Sequence, residues 1–345
     1  MSFAVRNFYP IRKAFRLSPL VMALALISPF HANAAEQSEK IEQSENIVTQ
    51  THRFHRDHIL GTSLDVVVQG ASKQEAKRAV DAIQKEISQL DQILSTWRDD
   101  SEIAALNNNK QGKVSAELFE VIAACENWRD KTCGAFDARL GQLITLWEQS
   151  HGVVKLDEAT RAQVLNQLKA DSVKLDAEQH NIAMDDAVKF APDAYAKGYI
   201  IDRALVAARQ AVPNIEGLLV DIGGDIRVWG NAPQKEGWKI GVQDAFDHSD
   251  NSAPQQVLNL KDQAIAFSGQ GYRSLAGQTH LLDPKTGMPL QQVEQCVVVG
   301  SCAADADALA TALAAMTPSE GLELIEALMG YEAKVTLTDG QVYQS

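Results

Sequence analysis

The chain has 345 residues, with 45 acidic against 32 basic side chains and a formal net charge of −13 at pH 7. That length can bury a large core, as one elaborate domain or as two joined lobes. The acidity argues against nucleic acid and against an anionic membrane surface as partners.

Residues 1–34 carry Arg6, Arg12, Lys13 and Arg16, no acidic residue, an apolar run from Leu20 to Ile27, and then Ala32-Asn33-Ala34. A basic start, a short apolar segment and an A-x-A site predict a secretory signal cleaved after Ala34. The apolar run is too short to span a bilayer as a mature helix. No cysteine lies near the cleavage site to take a lipid, so the expected product is a soluble periplasmic protein. Losing those four basic residues would move the net charge from −13 to −17. Cys125, Cys133, Cys296 and Cys302 would then enter an oxidising compartment, but their spacings fit no zinc pattern, and they read as buried thiols or a local bridge.

Residues 35–50 are polar and read as a disordered lead-in, leaving 51–345 as one domain. His52, His55 and His58 invite a metal reading, but on a strand positions 52 and 55 point to opposite faces, so a solvated face is expected. Leu64 to Val68 reads as a strand. Ser72-Lys73-Gln74-Glu75 is a capping box, and Ala76, Ala79, Val80, Ile83, Ile87, Leu90 and Leu94 recur at helical spacing, predicting a helix that ends near Trp97. Residues 99–107 read as a loop and a short helix. A further helix is predicted from Ser115 to Arg129, followed by a turn at Gly134-Ala135-Phe136-Asp137, and Asp157 should cap another through Leu168.

The stretch 172–190 predicts a strand pair around Asp185-Asp186. Ala191-Pro192-Asp193-Ala194-Tyr195-Ala196-Lys197-Gly198 leads into a helix to Val212. Strands are expected at 218–222, 226–230, 238–242, 256–260, 264–267 and 297–299, and His280-Leu281-Leu282 reads as a strand leaving into the turn Asp283-Pro284-Lys285-Thr286-Gly287. A helix should run from Ala303 to Met316. Thr317-Pro318-Ser319-Glu320 caps another that Gly330 closes, before a terminal hairpin. Helices in the first half and strands with interspersed helices in the second give an α+β protein.

Asp307 and Thr311 stand one turn apart on the predicted 303–316 helix. Two hard oxygen donors at that spacing, facing a loop with His280, form a cradle for a small divalent cation and a phosphate ester. The same two residues also fit a surface near a helix start, where acids complement the dipole, with Asp305 as N-cap. Asp221-Ile222-Gly223-Gly224-Asp225 fits either a close ligand approach or a tight turn. Residues 268–274, Ser-Gly-Gln-Gly-Tyr-Arg-Ser, nearly match G-x-G-x-x-G, but Ser274 replaces the third glycine and no βαβ unit surrounds them, which argues against a nicotinamide-type Rossmann site and leaves a phosphate-facing loop as the alternative.

From about Leu60 to Thr338 these blocks, in order, resemble the ApbE family of FAD:protein FMN transferases. They are Leu60-Gly61-Thr62, Ser101-Glu102-Ile103 with Leu106-Asn107, Gly134-Ala135-Phe136-Asp137, Ala196-Lys197-Gly198-Tyr199 with Asp202, Asp221-Ile222-Gly223-Gly224-Asp225, Ser268-Gly269, His280 with Asp283-Pro284 and Thr286-Gly287, and Asp307-Ala308-Leu309-Ala310-Thr311.

The resemblance implies a single elaborate T-fold-related α+β domain with mixed and antiparallel sheets and packed helices. It implies Mg²⁺ held by Asp307, Thr311 and the Ala194 carbonyl, an FAD site lined by Leu60, Trp97, Ala135, Phe136, Asp137, Lys197 and Leu282, and His280 as catalytic base. The implied reaction moves FMN from FAD to a threonine or serine hydroxyl of an exported or membrane-bound redox protein, with release of AMP. A pyrophosphatase giving FMN and AMP, or a non-catalytic FAD-binding protein, would use the same site. The family often has methionine at the position of Leu60, tyrosine at that of Trp97, and an acid at that of Ala191.

Overall fold

The computed structural model describes residues 50–149, 157–170, 172–234, 236–247, 253–270, 274, 275, 278, 279 and 281–345. The expected signal segment, all but the last residue of the expected lead-in, and His280 lie outside the described residues.

A hairpin of β1 (Thr51–Ile59) and β2 (Thr62–Gln69) opens the fold, turning through Leu60 and Gly61 at φ of 49° and 75°. The next helix, α1 (Lys73–Leu94), starts on the expected capping box of Ser72 and Glu75 and buries the expected apolar stripe. It stops at Leu94 because Ser95 is extended, which leaves Trp97 outside it. Then come α2 (Glu102–Asn109), β3 (Gln111–Lys113) and α3 (Ala116–Lys131), with Ser101 and Ser115 as N-caps.

The short helix α4 (Gly141–Gln149) was not anticipated: it begins on a glycine and has neither an acid in its first turn nor a base in its last. Asp157 caps α5 (Glu158–Ala170) as expected, accepting from the N–H groups of Ala159 and Thr160. The strand pair is β4 (Val173–Asp176) and β5 (Asn181–Met184), with β3 as an unforeseen third member. Its turn lies at residues 177–180. Asp185 instead closes the loop behind β5, its carboxylate accepting from Ser172 N at 2.8 Å.

The second half runs α6 (Asp193–Ala211), β6 (Gly217–Ile222), β7 (Asp225–Gly230), β8 (Trp238–Val242), β9 (Gln256–Leu260), β10 (Ala264–Gly269), β11 (Ser274–Leu275), β12 (Gln278–Thr279) and β13 (Val293–Gly300). It ends with α7 (Ala303–Ala314), α8 (Pro318–Ala327), β14 (Glu332–Leu337) and β15 (Val342–Gln344). Leu281 and Leu282 are not a strand. Leu282 makes one isolated bridge to Pro289, and between them the Asp283 carboxylate caps a turn through Lys285 N and the Thr286 hydroxyl. Helix α8 ends at Ala327, before Gly330, whose φ of 84° serves the turn into β14.

The main sheet has the order β1-β2-β6-β7-β10-β13-β14-β15, antiparallel throughout. Strand β6 is buried along its whole length because both faces are covered. Period-2 alternation sends Leu218, Val220 and Ile222 into the larger core with the helices, and Leu219 into a second core with Trp238, Ile240 and Val242 of the β8–β9 ribbon. On the helical face Ala264 and Ala266 of β10 are small, and α7 above them is alanine-rich, so it sinks until ten of its twelve residues are buried.

Helices α6 and α7 cross at Gly198. A Cβ there would fall 2.3 Å from the Ala303 carbonyl oxygen. Alanine in a helix interior gains about 0.5–1 kcal/mol over glycine, but the atom it meets here is backbone, which cannot swing aside. Gly198→Ala should therefore destabilise the protein by about 1–3 kcal/mol, read as a lower urea midpoint. An unchanged midpoint would show that the crossing is not this tight.

Candidate active site

The crossing places a carboxylate where water is scarce. Asp307, on the buried helix α7, is 3 % exposed, and among the described residues its one hydrogen bond is from Gly198 N at 3.3 Å. In an α-helix that same N–H faces the carbonyl four residues earlier, Ala194. The carboxylate and the Ala194 carbonyl therefore converge on one donor. Thr311 follows Asp307 by one helical turn, and its hydroxyl lies 3.1 Å from Ser268 Oγ at the end of β10. Burial, with the Asp225 charge adding to it, pushes Asp307 up to about 7, while Lys197 opposes the shift.

Lys197, the residue before Gly198, extends its ammonium to Asp225 Oδ2 at 2.7 Å. Asp225 is 1 % exposed, and its other oxygen accepts from Phe267 N at 3.1 Å. This contact is the first rung of a polar ladder between β7 and α6. Two residues on, Arg227 lies 3.6 Å from Asp202, and two further, the Trp229 ring takes the Arg209 guanidinium at 3.9 Å from its centroid. Asp202 accepts from Ala303 N and Ala304 N, both at 3.0 Å. It thus satisfies the open N–H groups at the start of α7. That corrects the expectation for Asp305. Its carboxylate accepts from Trp128 Nε1 and the Tyr331 hydroxyl, and the N-cap position is Cys302, which makes no side-chain cap.

The Asp221-to-Asp225 stretch is a tight turn. Gly223 and Gly224 have φ of 61° and 99°, and a Cβ on Gly223 would strike the Thr62 side chain at 2.7 Å. The turn that carries Leu60, which is half-buried, therefore abuts the turn that carries Asp225. Asp221 Oδ1 accepts from Gly224 N at 2.9 Å, and burial pushes Asp221 up to about 8.

Trp97 is 70 % exposed. Its neighbour Thr96 donates to the Asp193 carboxylate at 3.1 Å, which ties the backbone of this segment to the first turn of α6. Ala135 and Phe136 are buried in the main core, so they can line a ligand site only through backbone. Asp137 is held internally by Arg129 Nε at 3.1 Å and Arg139 N at 2.8 Å, and burial raises it despite both contacts. This segment reaches the α6 corner through Ala191 N, which donates to the Ala138 carbonyl at 2.7 Å. Asn107 braces the same corner, exchanging two hydrogen bonds with the Phe190 backbone at 2.7 and 2.9 Å. Leu282 is half-buried, and its turn is tied to α4 by Trp147 Nε1 donating to the Gly287 carbonyl at 2.9 Å.

Asp307, Lys197, Ala194 and Thr311 are thus brought together, with Trp97 and Leu60 attached through neighbouring contacts. The sequence reading had no role for Asp225, Asp202 or Ser268 individually. The available signal was the i, i+2, i+4 row of Asp225, Arg227 and Trp229 on an otherwise apolar strand.

These contacts fall within the residues that match the ApbE family model, 60–335. The chain belongs to the ApbE family. Among its relatives, the FAD:protein FMN transferase of Vibrio cholerae is 28 % identical over 288 residues, 78 % of this chain and 82 % of the relative. That of Chlamydia muridarum is 27 % identical over 278 residues, 76 % and 81 % of the two chains. The crystal structure of the ApbE protein from Thermotoga maritima superposes with a TM-score of 0.75 at 28 % identity, covering 86 % of this chain and 97 % of that one. The antiparallel α+β architecture expected from the sequence is therefore the ApbE fold.

The donor set suits a hard cation. One buried carboxylate, a hydroxyl and a backbone carbonyl are all oxygen ligands, and Mg²⁺ commonly takes one or two carboxylates and completes its shell with water and substrate phosphate. Among the described residues no group of three or more His, Cys, Asp or Glu is arranged to hold a metal by itself. The strand histidines are part of that result. His55 bonds to Asp65 at 2.9 Å and Asp57 at 3.2 Å, and His52 to the Ala71 carbonyl at 2.9 Å. All four cysteines are free thiols, Cys133 exposed and Cys125 and Cys296 buried.

The raised Asp307 pKa gives a pH dependence. An acid whose folded pKa lies above its unfolded 3.8 keeps its proton on folding, so its contribution favours the folded state at low pH and is lost as pH rises through about 7. A cation that needs the ionised carboxylate behaves oppositely. Calorimetric titration should show Mg²⁺ or Mn²⁺ affinity falling about tenfold per pH unit below the pKa and levelling above it. Affinity that stays flat between about pH 6 and pH 8 would remove Asp307 from the site.

Proposed function

We propose that this ApbE-family chain is a Mg²⁺-dependent FAD:protein FMN transferase that acts after export, moving FMN from FAD onto a threonine or serine hydroxyl of an exported or membrane-bound redox protein and releasing AMP. The observation that carries this reading is the buried Asp307 carboxylate at the α6–α7 crossing, with one neutral N–H on it, a lysine ammonium beside it and the Thr311 hydroxyl one turn on. The basic, apolar leader ending in Ala32-Asn33-Ala34 supports export. No described helix is long and apolar enough to cross a membrane.

Asp307, Thr311 and the Ala194 carbonyl would hold Mg²⁺, which when bound neutralises pyrophosphate oxygens. Lys197 adds a point charge on a flexible stem that can follow the phosphate. Trp97 offers a flat, exposed face for stacking a ring of the dinucleotide. The acceptor hydroxyl oxygen attacks the phosphorus on the FMN side, the P–O bond to the AMP phosphate breaks, and AMP leaves with that bridging oxygen. His280 is assigned the hydroxyl proton, since an imidazole titrates near the working pH.

Incubating the protein with FAD, Mg²⁺ and candidate acceptors should leave flavin fluorescence on the acceptor after denaturing electrophoresis. Asp307→Ala should abolish metal-dependent turnover. His280→Ala should lose transfer by about 10²-fold or more while retaining FAD. Stoichiometric AMP release with no labelled acceptor would make the protein a pyrophosphatase instead, and FAD recovered intact with Mg²⁺ present would make it a binding protein.

A further inference from the structure

Two buried carboxylates, Asp307 and Asp225, share one lysine. The Lys197 ammonium pairs with Asp225 at 2.7 Å, whereas Asp307 is met by the Gly198 N–H at 3.3 Å. Lys197 and Gly198 are adjacent on α6, and the lysine stem has four rotatable carbons. The ammonium therefore has two competing acceptors within reach, and an ammonium on Asp307 would occupy the place of a cation. Asp225 is well fixed for holding it elsewhere. It lies at the end of the β6–β7 turn, is 1 % exposed, and its second oxygen is bound to Phe267 N.

We propose that Asp225 is a positioning residue that parks the Lys197 ammonium away from Asp307, leaving the Asp307 carboxylate open to the divalent cation. This rests on the reading of Asp307 as a metal ligand. The lysine stays beside the site, poised for a substrate phosphate, without closing it. Removing the Asp225 charge releases the ammonium to Asp307, the other buried carboxylate at the crossing among the described residues, and the metal must then displace it.

The test is Mn²⁺ binding to the folded, FAD-free protein, read from loss of the free-ion paramagnetic resonance signal. Asp225→Asn keeps an oxygen for Phe267 N while removing the charge. Its Mn²⁺ affinity should fall by roughly tenfold or more, equivalent to about 1.4 kcal/mol per decade. The double variant Asp225→Asn with Lys197→Met has no ammonium to collapse and should bind Mn²⁺ as Lys197→Met alone does. Native Mn²⁺ affinity in Asp225→Asn overturns the proposal. A double variant as weak as Asp225→Asn overturns it too, because Asp225 would then act only through local structure. A native protein that binds no Mn²⁺, or that binds it unchanged after Asp307→Ala, overturns the metal reading and this inference with it.

Discussion

A carboxylate pinned inside a helix crossing ties the packing of the site to its electrostatics. Asp307 lies where α6 and α7 touch, and the touch requires a residue without a side chain at 198. The close approach gives the carboxylate a backbone N–H and aligns it with the carbonyl of Ala194. It also excludes water, which is why the acid is held so far above its ordinary range. Alanine-rich α7 and the small residues of β10 allow the helix to settle that deep. The packing and the electrostatics of the site have one cause.

Buried carboxylates are costly unless compensated, and the three buried here, with half-buried Asp202, are compensated differently. Asp202 has two backbone N–H groups and a nearby guanidinium. Asp225 has an ammonium and a backbone N–H. Asp221 has a turn N–H, and burial raises its pKa. Asp307 has a single neutral N–H among the described residues and a lysine that is turned elsewhere. That sparse compensation is the ground for proposing Asp307 as a cation ligand.

Much of this fold was legible because its local signals are strong. The capping boxes at Ser72 and Thr317, the serine caps at 101 and 115, and the apolar stripe of α1 each specify an element without help from tertiary contacts. Helix α4 and strand β3 were not legible, since the first carries no cap signature and the second is a three-residue strand that exists only by pairing with β5. At the site, the spacing of Asp307 and Thr311 was visible. Whether they faced solvent or core was not, because that depends on Gly198 meeting Ala303 across 105 residues of chain. The same applies to Asp305 and Asp202. Asp305 is well placed in the sequence for a capping role and Asp202 is not, and the three-dimensional path of α6 decides that Asp202 takes it.

The proposed cation site is the crossing of α6 and α7. Crystals of the protein soaked with FAD and Mn²⁺ and measured for anomalous scattering test it most directly. The account predicts one strong peak about 2.1 Å from an Asp307 carboxylate oxygen, Thr311 Oγ1 and the Ala194 carbonyl oxygen. A peak on the histidines of β1, or no peak within the crossing while FAD is bound, would contradict it.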